Sequence, residues 1–169
     1  MSISRIDFKR WIEGGLEIME RYAFLLGYFD KQILLIGKLY KEIVAVNLTI
    51  YDKQFLFAMR VQQFYTAIED LFKQIAKSFE NHIEDMGSFH KEVLIRMNTD
   101  VPKIRPAVIS NQSLILLDKI RAFRHFVQHA YDCELDQKEL QFIQEKLKNE
   151  YAYAEKDLHH FRSFIQSLQ

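Results

Sequence analysis

The chain has 169 residues, 49% of them hydrophobic, and its 23 Lys+Arg balance 23 Asp+Glu. That length suits one domain, and the apolar fraction excludes a disordered chain. The balanced charge argues against a general nucleic-acid coat while leaving room for a local basic site, and the single Cys133 excludes an internal disulfide. The longest wholly apolar stretch, 22–29, is far short of the roughly 20 residues of a membrane span. The first residues lack the basic-then-apolar layout of a signal peptide. A soluble, cytoplasmic protein with no membrane partner is expected.

In chain order, residues 1–45 are helical in character but carry Gly14, Gly15, Gly27 and Gly37. Glycine in a helix interior costs about 1 kcal/mol relative to alanine, so either two helices or one long bent helix is expected. The next helix begins near Asn47 or Asp52 and runs to about Glu80. Its apolar residues Val61, Phe64, Tyr65, Ile68, Leu71, Phe72, Ile75 and Phe79 recur in steps that place them on one face. Gly87 and Ser88 open a shorter helix through Met97. Residues 100–110 hold Pro102 and Pro106 and form the one convincing loop, because proline disfavours helix for itself and for its predecessor. A helix over 111–131 follows. The last begins after Asp136, three residues before Glu139 as in a capping box, and carries Leu140, Ile143, Leu147, Tyr151, Ala154, Leu158, Phe161, Ile165 and Leu168 on one stripe. No alternating strand pattern or internal repeat is present. The expected fold is an all-α, single-domain antiparallel bundle of four to six helices spanning 1–169, with N-terminal helices in 1–45 and the chemistry-bearing bundle in 46–169.

The helix over 111–131 carries the chemistry. Leu116, Leu117, Ile120, Phe123, Val127 and Ala130 form an apolar sector, while Arg121, His125, Gln128 and His129 fall on the polar side. Arg124 lands at the edge of the apolar sector, where a permanent charge must find a carboxylate, snorkel to water or face a bound anion. Lys119, Arg121, Arg124, His125 and His129 stand against one acid, Asp118. Arginine grips phosphate as a two-pronged fork and histidine exchanges protons near neutral pH. Such a patch suits cleavage of RNA through its 2′-hydroxyl, and it equally suits a solvated helix face.

The run from Arg124 through His129 to Tyr131 reads R-x4-H-x-Y, and this resembles the signature of the HEPN superfamily, specifically HepT-like toxins. Phe89-His90-Lys91-Glu92 and Arg105-Pro106-Ala107-Val108-Ile109-Ser110 are also similar to one HepT-like subgroup. The likeness covers roughly Val61 to the C-terminus. It implies a metal-independent endoribonuclease without a cofactor, the toxin of a toxin–antitoxin pair, acting as a homodimer on cellular RNA. By motif position it implies Arg124 and His129 as the catalytic pair and His125 as the polar residue following the arginine; the local patch adds Arg121, Lys119 and Gln128, with His125, as candidates supporting RNA binding. Tyr131 would be the residue that an MNT-type nucleotidyltransferase antitoxin modifies with AMP. Gln128 departs from the pattern, since a basic residue is expected there. The alternative function is a non-catalytic, nucleotide- or substrate-binding partner of a nucleotidyltransferase. A third reading is a structural helical dimer with Arg124 neutralised by a carboxylate.

The helix itself adds a geometric argument. Five residues separate Arg124 from His129, about 140° of azimuth on an unbroken helix. Either the helix is distorted at the motif, or Arg124 of one subunit works opposite His129 of another. Other candidates read as structural. His125 and His129 have a metal-compatible spacing but lack the glutamate of a zinc-protease helix. His159 and His160 are expected at the surface, Tyr151 and Tyr153 in packing, and His90 as a half-buried structural histidine. Glu69 and Asp70 read as a solvated edge, although in a bundle they can reach Arg121 or Arg124.

Overall fold

The computed structural model describes residues 5–80, 90–129 and 135–169, with the side chains of 5–12, 90 and 129 outside that description. Among these residues there are five helices: α1 (Arg5–Val44), α2 (Tyr51–Phe79), α3 (His90–Met97), α4 (Asn111–His129) and α5 (Gln137–Gln166). The all-α bundle expected from the periodicities is the observed fold. The N-terminal segment is one continuous helix despite its glycines, of which Gly14, Gly15, Gly27 and Gly37 all face open space. The expected start of the third helix at Gly87 and Ser88 lies outside the described residues.

The apolar stripes explain the packing. Leu25, Phe29, Gln32, Ile36, Leu39 and Ile43 are buried along α1 at alternating steps of four and three. This stripe faces α2 and α5, and α4 closes the bundle against those same two helices. Tyr22 meets Phe79 at one end of the α1–α2 pair and Glu42 meets Arg60 at the other, so these helices run antiparallel. Tyr40 stacks on Tyr151 with ring centroids 4.0 Å apart, and Arg162 pairs with Asp30, fixing α5 antiparallel to α1. Gln144 on α5 donates to the carbonyls of Ile43 and Val46 at 3.0 and 2.9 Å, tying α5 to the last turn of α1 and the residues just after it. The Asp136 side chain caps α5 by accepting from the Lys138 amide at 2.9 Å.

The segment between α3 and α4 is a built turn rather than a slack loop. Val101 bridges to Arg105, with Lys103 in the left-handed region at φ 65°. The Arg105 guanidinium is wholly buried and donates to Glu80 at 2.8 Å and to the carbonyls of Arg96, Thr99 and Pro106. Arg96 holds the second oxygen of Glu80 at 2.8 Å. A charge taken out of water survives because every guanidinium donor has an acceptor. Thus the Arg105 and Ser110 segment, one source of the family likeness, has a structural role: it delivers the chain to the start of α4.

Asp157 on α5 then fixes that start. Its Oδ2 accepts from the Ser110 amide at 2.8 Å, the Ser110 hydroxyl at 2.7 Å and the Ser113 hydroxyl. A carboxylate at a helix N-terminus also complements the exposed amides and the helix dipole. Asp157→Ala removes these three bonds and leaves their donors unanswered. It is expected to lower unfolding free energy by about 2 kcal/mol, read from urea denaturation of both proteins.

Candidate functional site on the motif helix

Helix α4 buries Leu116, Leu117, Ile120 and Phe123 in the core, with Val127 packed against its edge. This is the expected apolar sector; Ala130 lies outside the described residues. Lys119, His125 and Gln128 are exposed, and Arg121 and Arg124 are half-buried. Phe126 and Ile115 are exposed apolar residues on the same helix. The backbone is α-helical through His129, whose side chain lies outside the description, as does Tyr131. The described part of the motif helix is therefore unbroken.

Arg124 settles which of its three options operates. Its Nη1 donates to Oε2 of Glu69 at 2.9 Å, and the two side chains are 14% and 3% exposed. The solvated edge expected at Glu69 and Asp70 is thereby corrected: Asp70 is exposed, whereas Glu69 points into the α2–α4 contact. Helical side chains lean toward the N-terminus of their own helix, and the two helices run in opposite directions. Arg124 and Glu69 consequently lean toward one another. The guanidinium also lies over the Tyr65 ring, 5.5 Å from its centroid, in a cation–π arrangement. Its Nε is buried without a hydrogen-bond partner, so the fork is only partly satisfied by protein.

The neighbouring charges are organised in pairs. Arg121 Nε meets Asp118 Oδ1 at 2.8 Å, one turn away on the same helix. Lys73, one turn beyond Glu69 on α2, places its ammonium 3.7 Å from Oε1 of Glu69. Around this seam three fixed cations, Arg121, Arg124 and Lys73, face two carboxylates, Asp118 and Glu69. The excess is positive, before any contribution from the exposed His125. Lys119 stands apart, its ammonium 5.4 Å from the Phe142 ring centroid on α5. Sequence reasoning missed Tyr65 and Lys73; their spacing from Glu69, four residues on either side, places all three on one face of α2.

The other candidates divide. Tyr151 is buried against Tyr40 and Phe64, as a packing residue should be, but Tyr153 is exposed. His159 and His160 are both at the surface. The His90 side chain and Cys133 lie outside the described residues. Among the described residues no group of three His, Cys, Asp or Glu side chains is placed to hold a metal. A groove of about 630 Å³ lies between α1 and α2, lined by Lys38, Glu42, Arg60 and Asp70 among others. It is separate from the motif helix, and its Arg60 is already paired with Glu42 at 2.8 Å.

Fold and site together define a helical-bundle protein whose motif-bearing fourth helix presents a partly satisfied arginine beside a positive seam. The family model described as "HepT-like protein" matches residues 56–165, from within α2 to nearly the end of α5. The chain belongs to this HepT-like family, which is of the HEPN type. Comparisons with curated proteins and with solved structures find no match. No described helix is long and apolar enough to cross a membrane.

Two stability effects follow from the seam. Arg124→Ala removes the guanidinium that answers the buried Glu69, so a loss of about 3 kcal/mol in urea denaturation is expected. The Tyr65 phenol is pushed far above its ordinary value of 10.0 by burial first and by the Glu69 charge second, with Arg121 and Arg124 pulling the other way. The folded state therefore keeps a proton that the unfolded chain releases, and stability falls as pH rises past 10. Tyr151 is displaced in the same direction, by burial above all. Thermal melts across the alkaline range should show Tyr65→Phe losing less stability with rising pH than the parent protein.

Proposed function

We propose that this HepT-like protein is a metal-independent endoribonuclease, the toxin of a HEPN/MNT-type toxin–antitoxin pair, acting in the cytoplasm. The observation that carries the reading is the R-x4-H-x-Y run, whose Arg124–His129 part lies on α4, within the residues matched by the family and beside a seam of excess positive charge. HepT-like families fall within a superfamily of toxin-type ribonucleases, which supports the reaction class.

In this reading His129 takes the 2′-hydroxyl proton of RNA while the 2′-oxygen bonds to phosphorus. The bond from phosphorus to the 5′-oxygen breaks, and that oxygen leaves as a hydroxyl after gaining a proton. The products are a 2′,3′-cyclic phosphate and a 5′-hydroxyl end. Arg124 stabilises the charge that builds on the phosphoryl oxygens. His125, Arg121, Lys119 and Gln128 line the approach of the RNA backbone. Because α4 is helical through His129, the azimuth argument favours a homodimer in which Arg124 of one protomer faces His129 of its partner. The exposed Ile115 and Phe126 on α4 supply apolar surface for such a pairing. Transfer of AMP from ATP to Tyr131 by the antitoxin, with release of pyrophosphate, would set a bulky anion beside these cations and oppose RNA binding.

A second reading draws on the Glu69 contact: the bundle is a non-catalytic partner of a nucleotidyltransferase, and Arg124 serves packing. RNA incubation in EDTA separates the two. Arg124→Lys keeps a charge for Glu69 but loses the planar fork, and His129→Ala removes the proton carrier. Cleavage by the parent, its loss in both variants and an unchanged dimer in light scattering are expected. An inert parent, or undiminished cleavage by either variant, overturns the ribonuclease assignment.

A further inference from the structure

One buried carboxylate touches two cations from different helices. Oε2 of Glu69 accepts from Arg124 at 2.9 Å, and Oε1 lies 3.7 Å from the Lys73 ammonium. Glu69 is 3% exposed, while the Lys73 side chain is 35% exposed and so reaches solvent at the rim of the pair. Two positive groups share this carboxylate, as Arg105 and Arg96 share Glu80, but here the buried cation is the arginine of the motif, and Lys73 adds a partly exposed positive group at the mouth of the α2–α4 seam. The Tyr65 ring beneath the guanidinium and Glu69 at one of its nitrogens restrict its rotation. The buried, unanswered Nε shows that this holding does not use the whole fork.

We propose that Glu69 and Lys73 complete the motif helix's site from α2: Glu69 is a positioning residue that fixes the Arg124 guanidinium, and Lys73 is a second cation contacting the RNA phosphate. This rests on the ribonuclease reading above. The sharing explains why a carboxylate so close to the arginine does not cancel the site, since Lys73 restores the charge that Glu69 removes. It also assigns the two residues opposite kinetic signatures. Orientation of Arg124 matters as charge develops in the transition state, whereas a rim lysine attracts substrate and transition state alike.

The test is steady-state cleavage of a short RNA in EDTA by the full-length chain. Glu69→Gln is nearly isosteric but uncharged, and should lower kcat by about tenfold or more. KM should fall at the same time, because a negative charge beside the phosphate is gone. Glu69→Asp keeps the charge and draws it back by one methylene, so it supplies a reduced kcat in a folded protein if the glutamine variant does not fold. Lys73→Gln, at a partly exposed position, should raise KM several-fold with little change in kcat. Circular dichroism and melting curves report the folded fraction. With an active parent, an unchanged kcat in both Glu69 variants or an unchanged KM in Lys73→Gln overturns this inference alone. A parent without activity overturns the ribonuclease reading, and this inference with it.

Discussion

A buried carboxylate on α2 governs the arrangement of the motif helix. Removing the Glu69 charge from water costs several kcal/mol unless a cation answers it, and the answering group is the arginine of the motif. The same contact fixes the azimuth of α4 against α2 and places Tyr65 under the guanidinium. It also raises the phenol of Tyr65, because a phenolate there would be both desolvated and beside a carboxylate. Packing, electrostatics and the candidate chemistry therefore meet at one ion pair. Its partial character, with one Nη engaged and Nε unanswered, separates it from the fully answered Arg105, whose donors are spread over Glu80 and three carbonyls.

Those two arginines illustrate how the bundle divides its polar interior. Arg105 ties the turn after α3 to the end of α2, and Asp157 ties the following helix start to α5. Between them they fix where α4 enters the bundle. Arg124 then sits about three and a half turns along a helix already constrained at its beginning.

Membership of the HepT-like family and the unbroken α4 point the same way without being the same argument. The family match concerns residues 56–165, and so leaves out the whole of α1. The azimuthal separation within the motif concerns only helix geometry: positions 124 and 129 face different directions from one unbroken helix. The placement of α1, packed along α2 and α5 on the far side from α4, leaves the motif helix's outer surface open among the described residues.

The sequence by itself determined the fold class, the stripes of α2 and α5, the Asp136 cap and the apolar sector of α4, because each depends on residues a few positions apart on a helix of fixed pitch. It also showed that Arg124 sits where a charge must be answered. Only the tertiary structure decided how: the choice among carboxylate, water and anion depends on what the facing helix brings, and Glu69 is 55 residues away in the chain. The burial of Glu69 beside the exposed Asp70, the recruitment of Lys73, the platform of Tyr65 and the burial of Arg105 are all contacts between elements. No periodicity within one helix encodes the rotation of its neighbour, and that rotation turned an apparent solvated edge into a buried ion pair with the arginine of the motif.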